Sequence, residues 1–141
     1  MPRQNTKLES EGAEFLVLGQ LLIQGVPTYK TYTNMPGYDL VAMNPERNRV
    51  ARVQVKSRRR TKAEGFIINN FNCDFVVIVR LNRGSKDGLL EVRLPEYFIF
   101  PVDIAEGLPQ GGWGKIAFSK IPSLESYREN WSLIRTFLDR T

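Results

Sequence analysis

Histidine is absent from this chain, and with it go the reactions that use imidazole as base, ligand or covalent nucleophile: serine and cysteine triads, histidine zinc sites and histidine-based nucleases. Cysteine occurs once, as Cys73, which rules out an intramolecular disulfide or a thiolate zinc site and leaves a small buried apolar side chain as the expected reading. Long apolar runs are also missing. The longest, Phe75 to Val79, is far too short to cross a bilayer, and the opening Met-Pro-Arg-Gln-Asn-Thr-Lys has no hydrophobic signal core, so the cytoplasm is the expected compartment. For acid, base and metal work there remain carboxylates, amides, lysines and backbone oxygens, the hard-ligand set suited to magnesium or manganese. Length and composition, 141 residues with 42% hydrophobic and 25% charged, suit one globular domain spanning 1–141 that is large enough to bury its own core.

One constellation reads as chemistry. Asp39 lies in Gly37-Tyr38-Asp39-Leu40-Val41-Ala42, and Val53-Gln54-Val55-Lys56 follows across Asn44-Pro45-Glu46-Arg47-Asn48. The flanks have strand composition and the middle holds strand breakers, so together they read as a β-hairpin. Alternation sends Ala51, Val53, Val55 and Ser57 to one face and Arg52, Gln54, Lys56 and Arg58 to the other. With a turn of about four residues, Met43 falls opposite Val50 and Asp39 opposite Gln54, which gathers a carboxylate, an amide and an ammonium on one patch. The patch suggests a metal-dependent nuclease centre.

The net charge is +5 and the sequence pI about 9.6, which favours a polyanionic partner. The distribution is more telling than the total. Arg47, Arg49, Arg52, Lys56, Arg58, Arg59, Arg60 and Lys62 are opposed in that stretch only by Glu46, so positive charge is densest on and beside the same hairpin. Arg52, Arg58, Arg59, Arg60 and Lys62 are the expected nucleic-acid contacts.

Along the chain, Leu8, Phe15, Leu18, Leu21 and Leu22 recur at helical spacing and predict an amphipathic helix from about Lys7 to Gln24, ended by Gly25. Strands are expected over Val26–Tyr32, Gly37–Met43 and Arg49–Arg58, giving an αβββ opening. The continuous apolar run at Phe75–Val79 reads as an interior strand covered on both faces. Leu89–Leu94 and Tyr97–Phe100 are expected to form a hairpin at a sheet edge, after a polar turn from Asn82 to Gly88. The glycine-rich Pro109 to Gly114 reads as a surface connection anchored by Trp113. Leu124, Tyr127, Trp131, Ile134 and Leu138 predict a core-facing helix over Ser123–Arg140, with Ser123 as N-cap.

Gly12-Ala13-Glu14 on a first helix, Gly37-Tyr38-Asp39 opening a strand and Gln54-Val55-Lys56 on the next resemble the PD-(D/E)xK nuclease superfamily, in particular its branch with a Gln-x-Lys motif, which includes group I intron homing endonucleases and their relatives. The resemblance runs from about Gly12 to Lys56. It implies a restriction-endonuclease-like α/β core, a mixed β-sheet flanked by helices, with further strands and a C-terminal helix after the αβββ opening. By that resemblance Asp39 matches the metal-binding aspartate, Gln54 stands in the place of the second acidic ligand, Lys56 matches the lysine beside the scissile phosphate, and Glu14 matches the helix glutamate that supports metal-bound water. The implied centre holds Mg²⁺, with Mn²⁺ able to substitute, on Asp39, the Gln54 side-chain oxygen and the Val55 carbonyl. The expected activity is endonucleolytic hydrolysis of DNA by a metal-activated water. Cutting both strands needs a second active site, which a homodimer or higher homo-oligomer supplies.

Other readings stand beside these. Asp39 could serve as a salt-bridge partner of Arg52 or Lys56, Gln54 as a surface strand residue, and Glu14 as the partner of a lysine. For the whole chain, the alternatives are a catalytically inactive nucleic-acid-binding module with the nuclease fold, for which the amide at Gln54 is the symptom, and a protein-interaction domain whose basic face meets an acidic partner.

Overall fold

The computed structural model describes residues 6–31 and 37–140. Its frame is a five-stranded mixed sheet in the order β1-β2-β3-β5-β6, built from β1 (Thr28–Lys30), β2 (Leu40–Asn44), β3 (Arg49–Arg58), β5 (Phe75–Arg80) and β6 (Glu96–Pro101). All neighbours are antiparallel except β3 and β5. A separate antiparallel ribbon pairs β4 (Gly65–Ile67) with β7 (Lys115–Ala117). Helix α1 (Thr6–Ile23) precedes the sheet, α2 (Val102–Glu106) follows β6 directly, and α3 (Ser132–Leu138) lies near the end. This is the mixed sheet flanked by helices that the sequence led us to expect. No helix among the described residues is long and apolar enough to cross a membrane.

Strand alternation explains the two cores. Ala51, Val53 and Val55 of β3, with Val77 and Val79 of β5, face α1 and α3, where they pack on Ala13, Val17, Leu21, Trp131, Ile134 and Leu138. The intervening Val76 and Ile78 face the opposite way, onto Phe66, Ile68, Ile116 and Phe118 of the ribbon region and Ala105 of α2. Strand β5 is therefore buried on both faces, as its unbroken apolar composition requires. Cys73 lies buried in the second core. Burial pushes its thiol up to about 11, so it behaves as a small apolar side chain.

Several elements depart from the sequence reading. Strand β1 is shorter than Val26–Tyr32, and Tyr32 lies outside the described residues. Strand β2 begins at Leu40, three residues later than expected. Leu89–Leu94 forms no strand; it contributes one isolated bridge, Arg83 to Val92, and leaves Leu89 and Leu94 in solvent, so β6 alone closes that edge. Helix α1 buries only part of the stripe assigned to it: Leu21 is buried and Leu18 packs against the core, but Leu8, Phe15 and Leu22 are exposed, and Ala13 and Val17 are buried instead. The helix carries two apolar stripes, and the smaller residues meet the sheet.

The expected C-terminal helix is broken into a 3₁₀ turn (Leu124–Tyr127) and α3. Backbone pairing to β6 is the cause: Glu129 donates its N–H to the Tyr97 carbonyl, Arg128 bridges Phe98, and Glu129 takes a positive φ. The apolar stripe survives the break because Trp131, Ile134 and Leu138 still enter the core. Ser123, left-handed and without a side-chain cap bond, is no N-cap. Trp113, expected to anchor its loop, has a left-handed backbone and is 95% exposed.

Candidate functional site

The register of the β2–β3 hairpin places the site. Met43 pairs with Val50 and Leu40 with Val53, so Asp39 arrives opposite Gln54, just where β2 leaves the ladder. The Asp39 N–H still follows the ladder and donates to the Val53 carbonyl. At the next position the Val55 N–H donates not to a main-chain carbonyl but to Asp39 Oδ2, at 2.8 Å. Because β3 runs on to Arg58 past the start of β2, a cleft of about 380 Å³ opens there. It is lined by Ser10 and Glu14 of α1, Gly37, Tyr38 and Asp39, residues Gln54 to Ser57 of β3, and Asn70. Glu14, Asp39, Gln54, Val55 and Lys56 thus share one cleft.

Gln54 is buried between the walls of this cleft. Its Nε2 donates to the Gly37 carbonyl at 2.9 Å and to the Asn70 carbonyl at 3.0 Å, which exhausts the amide's two protons. Its Oε1 is buried without a hydrogen-bond partner among the described residues, an arrangement that costs free energy unless something else binds there. Gly37 holds φ at +91°, and a Cβ on it would lie 2.6 Å from the Asn72 carbonyl oxygen and 2.9 Å from Asn70 Oδ1. Only glycine lets the two walls meet this closely.

Charge in the cleft is tightly arranged. Burial raises Asp39 above the ordinary carboxylate range, against the Val55 hydrogen bond and the positive charges of Lys56 and Lys30. Burial likewise raises Glu14, opposed by a hydrogen bond from Lys30 and reinforced by the negative charge of Asp39. Lys30 on β1 is the residue the sequence reading missed. Its Nζ lies 2.8 Å from Glu14 Oε1 and 3.2 Å from Glu11 Oε1 and stands over the Phe15 ring, and the hydrogen bond to Glu14 raises its own pKa. Glu14 therefore does pair with a lysine. Alternation on β1 is the signal that could have found it, because Lys30 shares the side of the buried Thr28. Ser10, one helical turn before Glu14, was open to the same kind of inference.

The basic residues are only partly assembled as a surface. Arg52 is bound to Asp74 at 3.3 Å and to Asn72 at 3.0 Å, beside the Tyr38 ring. Arg58 donates to the Gly65 carbonyl at 2.6 Å, and Arg59 pairs with Glu9 at 3.2 Å. Arg60 and Lys62 are exposed. Two of the five expected nucleic-acid contacts, Arg52 and Arg58, are thus half-buried and tied to internal groups, and Arg59 forms a surface ion pair.

The donors in the cleft suit a hard cation: one carboxylate, an unpartnered buried amide oxygen and adjacent backbone. The residues present fit Mg²⁺ or Mn²⁺ chemically. Among the described residues, no group of three acidic, cysteine or histidine side chains is placed to hold a metal.

Fold and cleft together define a nuclease-like α/β protein. A solved structure of a bacterial homing endonuclease is similar to this chain over 94% of each, with a TM-score of 0.64 and 25% sequence identity. No protein-family model and no curated protein matches the sequence.

Proposed function

We propose that this chain is a metal-dependent DNA endonuclease of the PD-(D/E)xK type, in its Gln-x-Lys branch, acting as one nuclease-like domain. The observation that carries the reading is the buried, unpartnered Oε1 of Gln54, a residue that lines one cleft with Asp39 and Lys56, in a fold similar to that of a homing endonuclease. Asp39, Gln54 Oε1 and the Val55 carbonyl would hold Mg²⁺. The bound ion would supply Lewis-acid charge and lower the pKa of a water molecule.

The chain's own residues do the rest. The Val55 N–H fixes the Asp39 carboxylate, so the ligand is oriented before metal arrives. The Gly37 and Asn70 carbonyls fix Gln54 through its Nε2, which leaves Oε1 as its one unpartnered polar atom. The Lys56 ammonium faces the phosphate and offsets the negative charge that builds on it. Glu14, with its proton affinity raised by burial, orients the attacking water and accepts its proton. Lys30 holds Glu14 in place.

The test is cleavage of supercoiled plasmid with Mg²⁺, beside an EDTA control. Asp39→Ala and Lys56→Ala are each expected to reduce cleavage by roughly 100-fold or more with the circular dichroism spectrum unchanged. Full activity in either variant overturns the assignment. A second reading, an inactive nucleic-acid-binding module, is favoured by the amide at Gln54 in place of a carboxylate. It requires that calorimetry detect no Mn²⁺ binding while DNA affinity is retained.

A further inference from the structure

Four cations outside the cleft stand together on two loops. Arg60 and Lys62 follow β3, Arg83 and Lys86 follow β5, and all four are exposed, with no ion pair among the described residues. Arg83 and Lys86 belong to a stretch that the sequence marks only as a polar turn. Within 59–62 and 82–88 the one acidic residue is Asp87, and its carboxylate accepts from its own loop, from the Ser85 hydroxyl and the Leu89 N–H.

These loops are tied to each other. The Arg83 N–H donates to the Arg59 carbonyl at 2.8 Å and the Thr61 N–H to the Gly84 carbonyl at 3.0 Å. The Gly84 N–H donates back to Thr61 Oγ1 at 2.8 Å, and the Lys62 N–H donates to Asn82 Oδ1 at 3.1 Å. Thr61 and Asn82, each 2% exposed, are thus buried polar residues whose hydrogen bonds join the two loops. A solvated run of charge gains nothing from being pinned beside another of the same sign, because the two repel. The Lys62 backbone points the same way. It holds φ at +55°, a conformation that favours glycine and asparagine, yet its ammonium makes no ion pair that would offset the strain. Strain of this kind concentrates where a side chain is held in place for binding.

We propose that Arg60, Lys62, Arg83 and Lys86 form one preassembled platform for the phosphate backbone of DNA, separate from the cleft. The main chain after β3 keeps the ladder through Arg59, since the Leu81 N–H donates to the Arg58 carbonyl just as Arg83 does to Arg59. At about 3.3 Å per strand residue, Arg60 lies roughly 13 Å beyond Lys56, which at about 3.4 Å per base pair is a span of about four base pairs. A duplex laid along β3 with one phosphate at Lys56 therefore brings a second stretch of backbone onto the platform, where the four cations displace its counterions. The Thr61 and Asn82 hydrogen bonds order both loops before DNA arrives, so little ordering entropy opposes binding. The platform needs DNA as the partner, as proposed above, but not its cleavage.

Fluorescence anisotropy of a labelled duplex, titrated in EDTA at several salt concentrations, tests it. Arg83→Ala combined with Lys86→Ala is expected to flatten the log–log salt slope by roughly 1.8, two contacts at about 0.9 each, with the thermal midpoint unchanged. Lys62→Gly separates charge from fold. Glycine accepts the left-handed backbone, so the midpoint should hold or rise while the slope flattens by roughly 0.9. A wild-type slope in either variant overturns the platform; if the wild type still cuts plasmid with Mg²⁺, the nuclease reading survives that loss. Flattened slopes in a chain that cuts nothing keep the platform and remove the nuclease. A wild type that binds no duplex overturns both.

Discussion

At the scale of single residues, Asp39 holds its position against its own electrostatics. Burial raises its proton affinity in the folded chain, so the folded state binds more protons than the unfolded one, and stability falls as pH rises from the ordinary carboxylate range through the raised folded value. Above that window the full penalty is present. Asp39→Asn is therefore expected to raise the thermal midpoint in EDTA at neutral pH, with the gain shrinking as pH falls below the ordinary carboxylate range. A scan of melting temperature against pH for both proteins checks the sign. A gain that grows on acidification would refute it. Asp39, Gln54 and Lys56 were legible in the sequence because alternation on one hairpin is enough to bring them together. Lys30 was marked only by alternation on a three-residue strand, too short to single it out, and Asn70 reaches the cleft from the segment before β5, across contacts that no local pattern encodes.

At the scale of elements, the sequence was most informative where pairing is local. The β2–β3 hairpin has the expected register because a short polar turn fixes it. The β4–β7 ribbon went unread: each strand is three residues long and the partners are far apart in the chain. The C-terminal helix was overread, since its apolar spacing is real but β6 claims the Arg128 and Glu129 backbone in its middle. The turn at Gly37 joins β2 to the cleft walls. Gly37→Ala must place a methyl group against the Asn72 carbonyl at a left-handed φ, and it is expected to cost about 1–3 kcal/mol. Urea unfolding measures this; a midpoint unchanged from wild type would show that the walls can part freely.

At the scale of the whole molecule, the excess positive charge divides between structure and surface. Arg52, Arg58 and the exposed Arg59 are held by Asp74, the Gly65 carbonyl and Glu9, whereas Arg60 and Lys62 are exposed with no ion pair among the described residues. If DNA lies along this face, Arg60→Ala and Lys62→Ala should each flatten the log–log salt dependence of duplex binding by roughly 0.9 at constant stability. Arg52→Ala should instead lower stability, because it leaves the half-buried Asp74 without its cation. Titrations at several salt concentrations, with melting curves, separate the two groups. Equal slopes in all variants would place the DNA elsewhere.

The ribbon has a consequence for the order in which the cleft is made. Strands β2 and β3 meet across a turn of four residues, but Gly65 meets Ala117 only by closing a loop of 52 residues, and each doubling of loop length adds about 0.6 kcal/mol of entropy cost. Asn70, three residues beyond β4, is one of the two anchors of Gln54. The hairpin that carries the candidate metal ligands thus closes a far shorter loop than the ribbon beside the wall that orients Gln54, so the entropy cost of completing the cleft falls mainly on that ribbon.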